Sequence, residues 1–208
     1  MSKQDFPAIA STVAEISFLY LTYGNIHYDE ACSQFAHGAQ CASLAQRQGH
    51  KDDIVIAAFL HDIGHLIAQH QQKSDMNQQG YIHHSQLGAD FLKAHNFSHA
   101  VVRMVQYHVQ AKRYLVSTSK CYRALLSTAS RKTLQQQGNG LTKNQQQVFE
   151  NQPDFEDLLT LRHLDDAGKD PDMVTSALSY WLQKIELHLK HVSAYAKNLT
   201  SKDKLTLN

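Results

Sequence analysis

The sequence predicts an all-α fold, and three observations carry that expectation. No run shows the two-residue alternation, rich in Val, Ile and Thr and bounded by turn residues, that marks a strand. Apolar residues recur instead at helical spacing along most of the chain. Residues that start and stop helices also fall where that spacing begins and ends.

Taken in order, Asp29-Glu30 opens a segment running to about Gln48 and closed by Gly49, with acids at its positive end. Asp52-Asp53 opens the next, where apolar Ile54 to Leu60 lead into His61. Gln69 to Gly80 carries almost no large apolar side chain and reads as a loop over the surface or the mouth of a site. A helix from about His84 to His95 follows. Ser98 is the N-cap expected for a segment through about Leu115, with Val101, Val102, Val105 and Val109 as its buried stripe and His108 beside it. Tyr122 to Gln136 and Asp154 to about Ala167 read as two further helices, separated by Gly138-Asn139-Gly140 and a glutamine-rich stretch. The last helix is expected from near Pro171, repeating Leu178, Leu182, Ile185, Leu189 and Val192, with a polar, frayed tail from Ser193. Without repeat, linker or composition break, residues 1–208 read as a single domain.

The chain has 208 residues, 42% hydrophobic and 19% charged, enough for a sizeable core. Twenty Lys and Arg against 19 Asp and Glu leave a net charge of +1, which excludes a broad electrostatic footprint for nucleic acid or anionic membrane. No apolar run reaches the roughly 18 to 20 residues of a membrane span, and MSKQDFPAIA lacks a secretory layout, so a cytoplasmic protein is expected. By the same reasoning Asn198-Leu199-Thr200 carries no glycan. Cys32, Cys41 and Cys121 lack a CxxC spacing and read as reduced, mostly buried thiols.

The unusual count is His, at 14. The sharpest local signal is His61-Asp62-Ile63-Gly64-His65 at the end of an apolar helix. Adjacent helical side chains point about 100° apart, so His61 and Asp62 reach one metal only at the helix edge, where a carboxylate can bridge to a second ion. His65, four residues on, returns to the face of His61 and can contact a ligand beside the metals. Further donors stand at His37, at His83 or His84, at His108 and at Asp165. Imidazole and carboxylate suit Fe, Mn, Ni, Co or Zn, so the donor types alone leave the metal open.

The order His, His-Asp, His, His, Asp resembles that of the HD-domain superfamily. With AAFLHDIGH (57–65), LGADFL (87–92), HVQAKRYLVS (108–117), ASRKTL (129–134) and LRHLDD (161–166), it resembles more specifically the mixed-valent diiron, PhnZ-like oxygenases of that superfamily. The resemblance runs from about Glu30 to Lys169 and implies an HD-domain helical bundle. It also implies two iron ions, Fe(II) and Fe(III), with O2 as co-substrate and an organophosphonate as substrate. His37, His61 and Asp165 would hold one iron and His84 and His108 the other, Asp62 bridging them, with His83 a neighbour. His65, Lys112, Ser130 and Arg162 would bind the phosphonate, and His61, Asp62 and His65 would carry the chemistry. The residues agree in part: Lys112 lies four after His108 and Arg162 three before Asp165, sharing helix faces with proposed ligands. Five positive charges from the irons against two from Asp62 and Asp165 leave a surplus that suits a dianion.

In the family a tyrosine and a glutamate precede the first ligand histidine, the glutamate facing the substrate's amine. Glu30 keeps the glutamate position, while His27 stands at the tyrosine position with Tyr28 beside it. The expected reaction is oxidative cleavage of 2-amino-1-hydroxyethylphosphonate to glycine and phosphate, or of an N-methylated analogue. The latter calls for aromatic side chains, which Tyr23, Tyr28 and Tyr81 could supply. A metal-dependent phosphohydrolase on the same scaffold is the alternative, and a non-catalytic binding module a third reading.

Overall fold

The computed structural model describes residues 5–28, 31–73 and 80–205. Eleven helices occur among them, in the order α1 (Asp5–Tyr23), α2 (Gln34–Arg47), α3 (Asp52–Leu60), α4 (Ile63–His70), α5 (His84–Ala94), α6 (His99–Thr118), α7 (Lys120–Leu125), α8 (Thr128–Gln136), α9 (Lys143–Glu150), α10 (Phe155–Ala167) and α11 (Leu178–Leu205). No strand occurs among the described residues, and none of their helices is long and apolar enough to cross a membrane.

α3 is the axis of the bundle, because every residue from Ile54 to Leu60 is buried and a helix apolar all round must be enclosed. It packs against α2, α6, α10 and α11. Phe59 stacks on Tyr20 of α1 at 4.8 Å and on Trp181 of α11 at 5.4 Å, and the Tyr20 hydroxyl donates to the Phe59 carbonyl at 2.8 Å. The buried C-terminus of α3 therefore delivers His61 and Asp62 to the middle of the molecule.

Local chemistry sets most boundaries. Ser98 caps α6 by accepting from the Val101 amide at 3.2 Å, as expected. Gly49, at φ +74°, stops α2 where the sequence predicts. The start of α2 needs correction: the cap is Ser33, accepting from Ala36 N–H at 3.2 Å, and the helix begins at Gln34. Asp29 and Glu30 lie outside the described residues, as do 74–79 of the expected site-mouth loop.

Tyr122 to Gln136 is not one helix. Leu126 is extended (φ −58°, ψ 139°) and Ser127 recaps the chain by accepting from Ser130 N–H at 3.1 Å, giving α7 and α8. The glutamine-rich stretch contains α9, begun by a capping box of Thr142 and Gln145. The last helix begins at Leu178, not near Pro171, and α11 continues through the segment read as a tail.

Candidate metal and anion site

α3 ends at Leu60 with His61 as its C-cap, and Asp62 (φ −102°, ψ 8°) breaks the helix before α4 restarts at Ile63. That turn is why adjacent side chains face one centre, and it puts His65 on a second helix. His37 enters from α2, His84 from the first turn of α5, His108 from the buried stripe of α6 and Asp165 from α10.

The four histidines share one hydrogen-bonding scheme. Nδ1 faces a backbone carbonyl in each: His37 that of Gly168 at 2.7 Å, His61 that of Ala58 at 2.9 Å, His84 that of Tyr81 at 2.9 Å and His108 that of Val105 at 2.7 Å. A carbonyl oxygen only accepts, so Nδ1–H donates and, in the neutral ring, each Nε2 presents a lone pair. Nε2 of His37 lies 3.1 Å from that of His61, and Nε2 of His84 lies 3.0 Å from that of His108. Two lone pairs facing each other at that distance repel unless a cation is shared, and about 3 Å is the spacing of adjacent ligands on an octahedral ion with bonds near 2.1 Å.

Asp62 stands between the two pairs. Its Oδ2 is 3.7 Å from His37 Nε2 and 3.4 Å from His61 Nε2, while its Oδ1 is 3.4 Å from His84 Nε2 and 3.6 Å from His108 Nε2. Asp165 Oδ1 joins the first pair, 3.3 Å from His37 and 3.8 Å from His61. The donor set is two nitrogen pairs sharing one bridging carboxylate, which fits two metal ions.

Electrostatics follow this asymmetry. Burial pulls the His61 imidazolium down, but Asp62 and Asp165 outweigh it and carry the group up to about 9, so without metal a proton occupies the Nε2 position from which a bound ion would displace it. Burial, with His84 and His61 adding repulsion, pushes His108 down to about 3. Asp165 is raised by burial yet held well below the usual carboxylate range by Arg162 and His61.

His65 differs from the other four. Its Nδ1 accepts from the Tyr81 amide at 2.9 Å, so Nε2 bears the proton, 3.9 Å from Asp62 Oδ1. Stacked on His84 at 3.9 Å, it presents an N–H donor to the cavity beside the metals.

That cavity continues into a cation-lined pocket. Lys112 is buried and donates to Thr133 Oγ1 at 3.2 Å, and Lys169 donates to Ser130 Oγ at 3.2 Å. Burial and the nearby Arg162 lower the Lys112 ammonium to about 7.

Residues 35–144 match the HD-domain family. The chain is 38% identical over 162 residues to an uncharacterised protein of Acanthamoeba polyphaga mimivirus, covering 77% of this chain and 74% of that one. It is 33% identical over 184 residues to the [1-hydroxy-2-(trimethylamino)ethyl]phosphonate dioxygenase (glycine-betaine-forming) of Leisingera caerulea, covering 87% and 92%. With the hydroxymethylphosphonate dioxygenase of Gimesia maris it shares 32% identity over 180 residues, covering 86% and 89%.

The chain belongs to the HD-domain family. It is an HD-domain oxygenase of the PhnZ-like kind that the sequence resembles. The HD match takes in His37, His61, Asp62, His84 and His108 and stops short of Asp165, which α10 returns to the same centre.

The HD bundle brings all the expected metal-ligand candidates together, and leaves His83 exposed beside buried His84. At the gate, Tyr28 is buried against His65 with ring centroids 5.0 Å apart, whereas His27 is exposed. Glu30 lies outside the described residues. Tyr23 and Tyr81 are engaged elsewhere, the first with His70 at 3.2 Å and the second with His83 and Lys73. Cys32 and Cys41 are buried beside His37, but Cys121 is exposed.

Arg162 has partners beyond Asp165, the one its sequence spacing places on the same helix face. It donates to Asp165 at 2.6 Å, to Tyr122 Oη at 2.8 Å and to both oxygens of Asp166, so it holds the Asp165 carboxylate in place. Lys169 was missed by sequence reasoning although it stands four residues after Asp165, the spacing that singled out Lys112 after His108. Gln34, one turn before His37, carried no signal in the sequence at all.

Proposed function

We propose that this HD oxygenase cleaves the C–P bond of a 1-hydroxyphosphonate with O2. In the balanced reaction, R–CH(OH)–PO3H2 plus O2 gives R–COOH and H3PO4: the carbon is oxidised, O2 is reduced, and the phosphorus leaves as phosphate. The observation that carries this reading is the junction of two lone-pair nitrogen pairs, bridged by Asp62, with a lysine-lined pocket on the same cavity. Relatives similar over most of the chain bear phosphonate dioxygenase names, which supports it.

His37, His61 and Asp165 would hold one iron, His84 and His108 the second, with Asp62 touching both. Those ions, when bound, supply the one-electron chemistry that activates O2. The chain's own residues do the rest. Lys112, Lys169 and Ser130 hold the phosphonate dianion, their charge and donors matching its oxygens. His65 donates its Nε2–H toward the substrate, and the second ring nitrogen, engaged by the Tyr81 amide, fixes that tautomer. Arg162 keeps Asp165 aligned and retains two N–H bonds for the phosphonate.

The test is phosphate release from 2-amino-1-hydroxyethylphosphonate and hydroxymethylphosphonate by iron-loaded protein, with and without oxygen. Oxygen-dependent release with one equivalent of carboxylate is expected. Equal release under nitrogen would mean hydrolysis, as a phosphohydrolase on this scaffold requires, and would overturn the reading.

A further inference from the structure

Gln34 is the first residue of α2, and its side chain lines the same cavity as the metal-site histidines. It is 7% exposed, yet its carboxamide oxygen is buried without a hydrogen-bond partner. A buried acceptor left unpaired is costly, so at a cavity wall its partner is what enters the cavity. A phosphonate dianion carries no donor, and the methyl groups of a quaternary ammonium offer no N–H. A primary ammonium or a hydroxyl does match it.

Among the described residues the complementary device is missing. Recognising a trimethylammonium calls for aromatic faces around the cation. Of the candidate tyrosines only Tyr28 lines the cavity among the described residues, with its ring packed on His65, while Tyr23 and Tyr81 are bound elsewhere.

We infer that Gln34 is a specificity-determining residue, whose carboxamide oxygen selects a hydroxyphosphonate with an N–H or O–H donor beyond the reacting carbon, a primary ammonium above all, over its trimethylammonium counterpart. The inference rests on the phosphonate reading above and adds which end group is taken.

The test is calorimetric binding to metal-loaded protein of 2-aminoethylphosphonate, its N-trimethyl analogue and inorganic phosphate, none of which has the 1-hydroxyl needed for turnover. The wild-type protein should bind the primary amine at least about 10-fold more tightly than the trimethyl compound, the penalty expected for an unmet buried acceptor. Gln34→Met, which keeps the length and removes the acceptor, should lose about 10-fold for the amine and leave the other two unchanged. Gln34→Glu should restore amine binding. A wild-type preference for the trimethyl compound overturns the inference and leaves the phosphonate reading standing. So does a loss in Gln34→Met that is equal for all three ligands, because the amide then reads the phosphonate group. Binding of phosphate with neither phosphonate would fail both readings together.

Discussion

Single residues decide how this site handles charge, and Lys112 does so most measurably. It is buried, and burial with Arg162 beside it lowers its pKa to about 7, so the ligand-free protein at pH 8 holds it mostly neutral. A dianion entering the pocket restores the ammonium, and binding therefore takes up a proton. Titration with sulfate, a dianion at every pH used, in two buffers of different ionisation enthalpy should show uptake approaching one proton at pH 8 and falling away below pH 6. Lys112→Arg, charged throughout, should abolish the uptake; unchanged uptake in that variant would assign the proton to another group. What was legible at this scale was the His61-Asp62 pair with further His and Asp donors, while the choice of His84 over His83 came from the family resemblance. Partners were legible only in part: the three-residue spacing puts Arg162 on the face of Asp165, but the pull of Asp166 and Tyr122 on the same guanidinium shows only in the fold. Gln34 matters only because folding buries its amide oxygen, which no spacing discloses.

At the scale of elements, the legible helices were those with chemical punctuation. Ser98 and Gly49 marked ends that the structure keeps, whereas α9 hides in a stretch of glutamines. The Leu126-Ser127 break was unreadable because apolar spacing continues through it. The junction between α4 and α5 carries the sharpest requirement. Gly64 approaches α5 so closely that a Cβ there would meet the His84 carbonyl, and Gly88 answers it from the other helix. That contact brings His84 to Asp62, with Nε2 3.4 Å from Oδ1. Gly64→Ala must separate the helices, at about 1 to 3 kcal/mol for overpacking of this kind. Metal analysis should show the ion expected at His84 and His108 lost first, with content falling from two per chain toward one and the melting temperature falling as well. Full metal content in a destabilised variant would show that the close approach serves packing alone.

On the scale of the whole molecule, the centre ties together parts of the chain that are distant in sequence. His37 of α2, His61 and Asp62 at the α3–α4 turn, His84 of α5, His108 of α6 and Asp165 of α10 meet at one point. An ion bound there stabilises the folded chain by mass action, since the unfolded chain offers no such array. Filling a site to about 100 times its dissociation constant contributes about 2.7 kcal/mol, which in a chain of this size raises the melting temperature by about 5 to 10 °C per ion. Chelation should therefore lower the melting temperature by that amount for each ion removed, and readdition should restore it. His84→Ala should abolish only the part due to the second ion, because His37, His61 and Asp165 still hold the first. The Tyr20–Phe59–Trp181 stack needs no metal, so the stripped protein should still unfold cooperatively. A melting temperature indifferent to chelation would place the whole stability of the bundle in that core and leave the histidine pairs without a structural role.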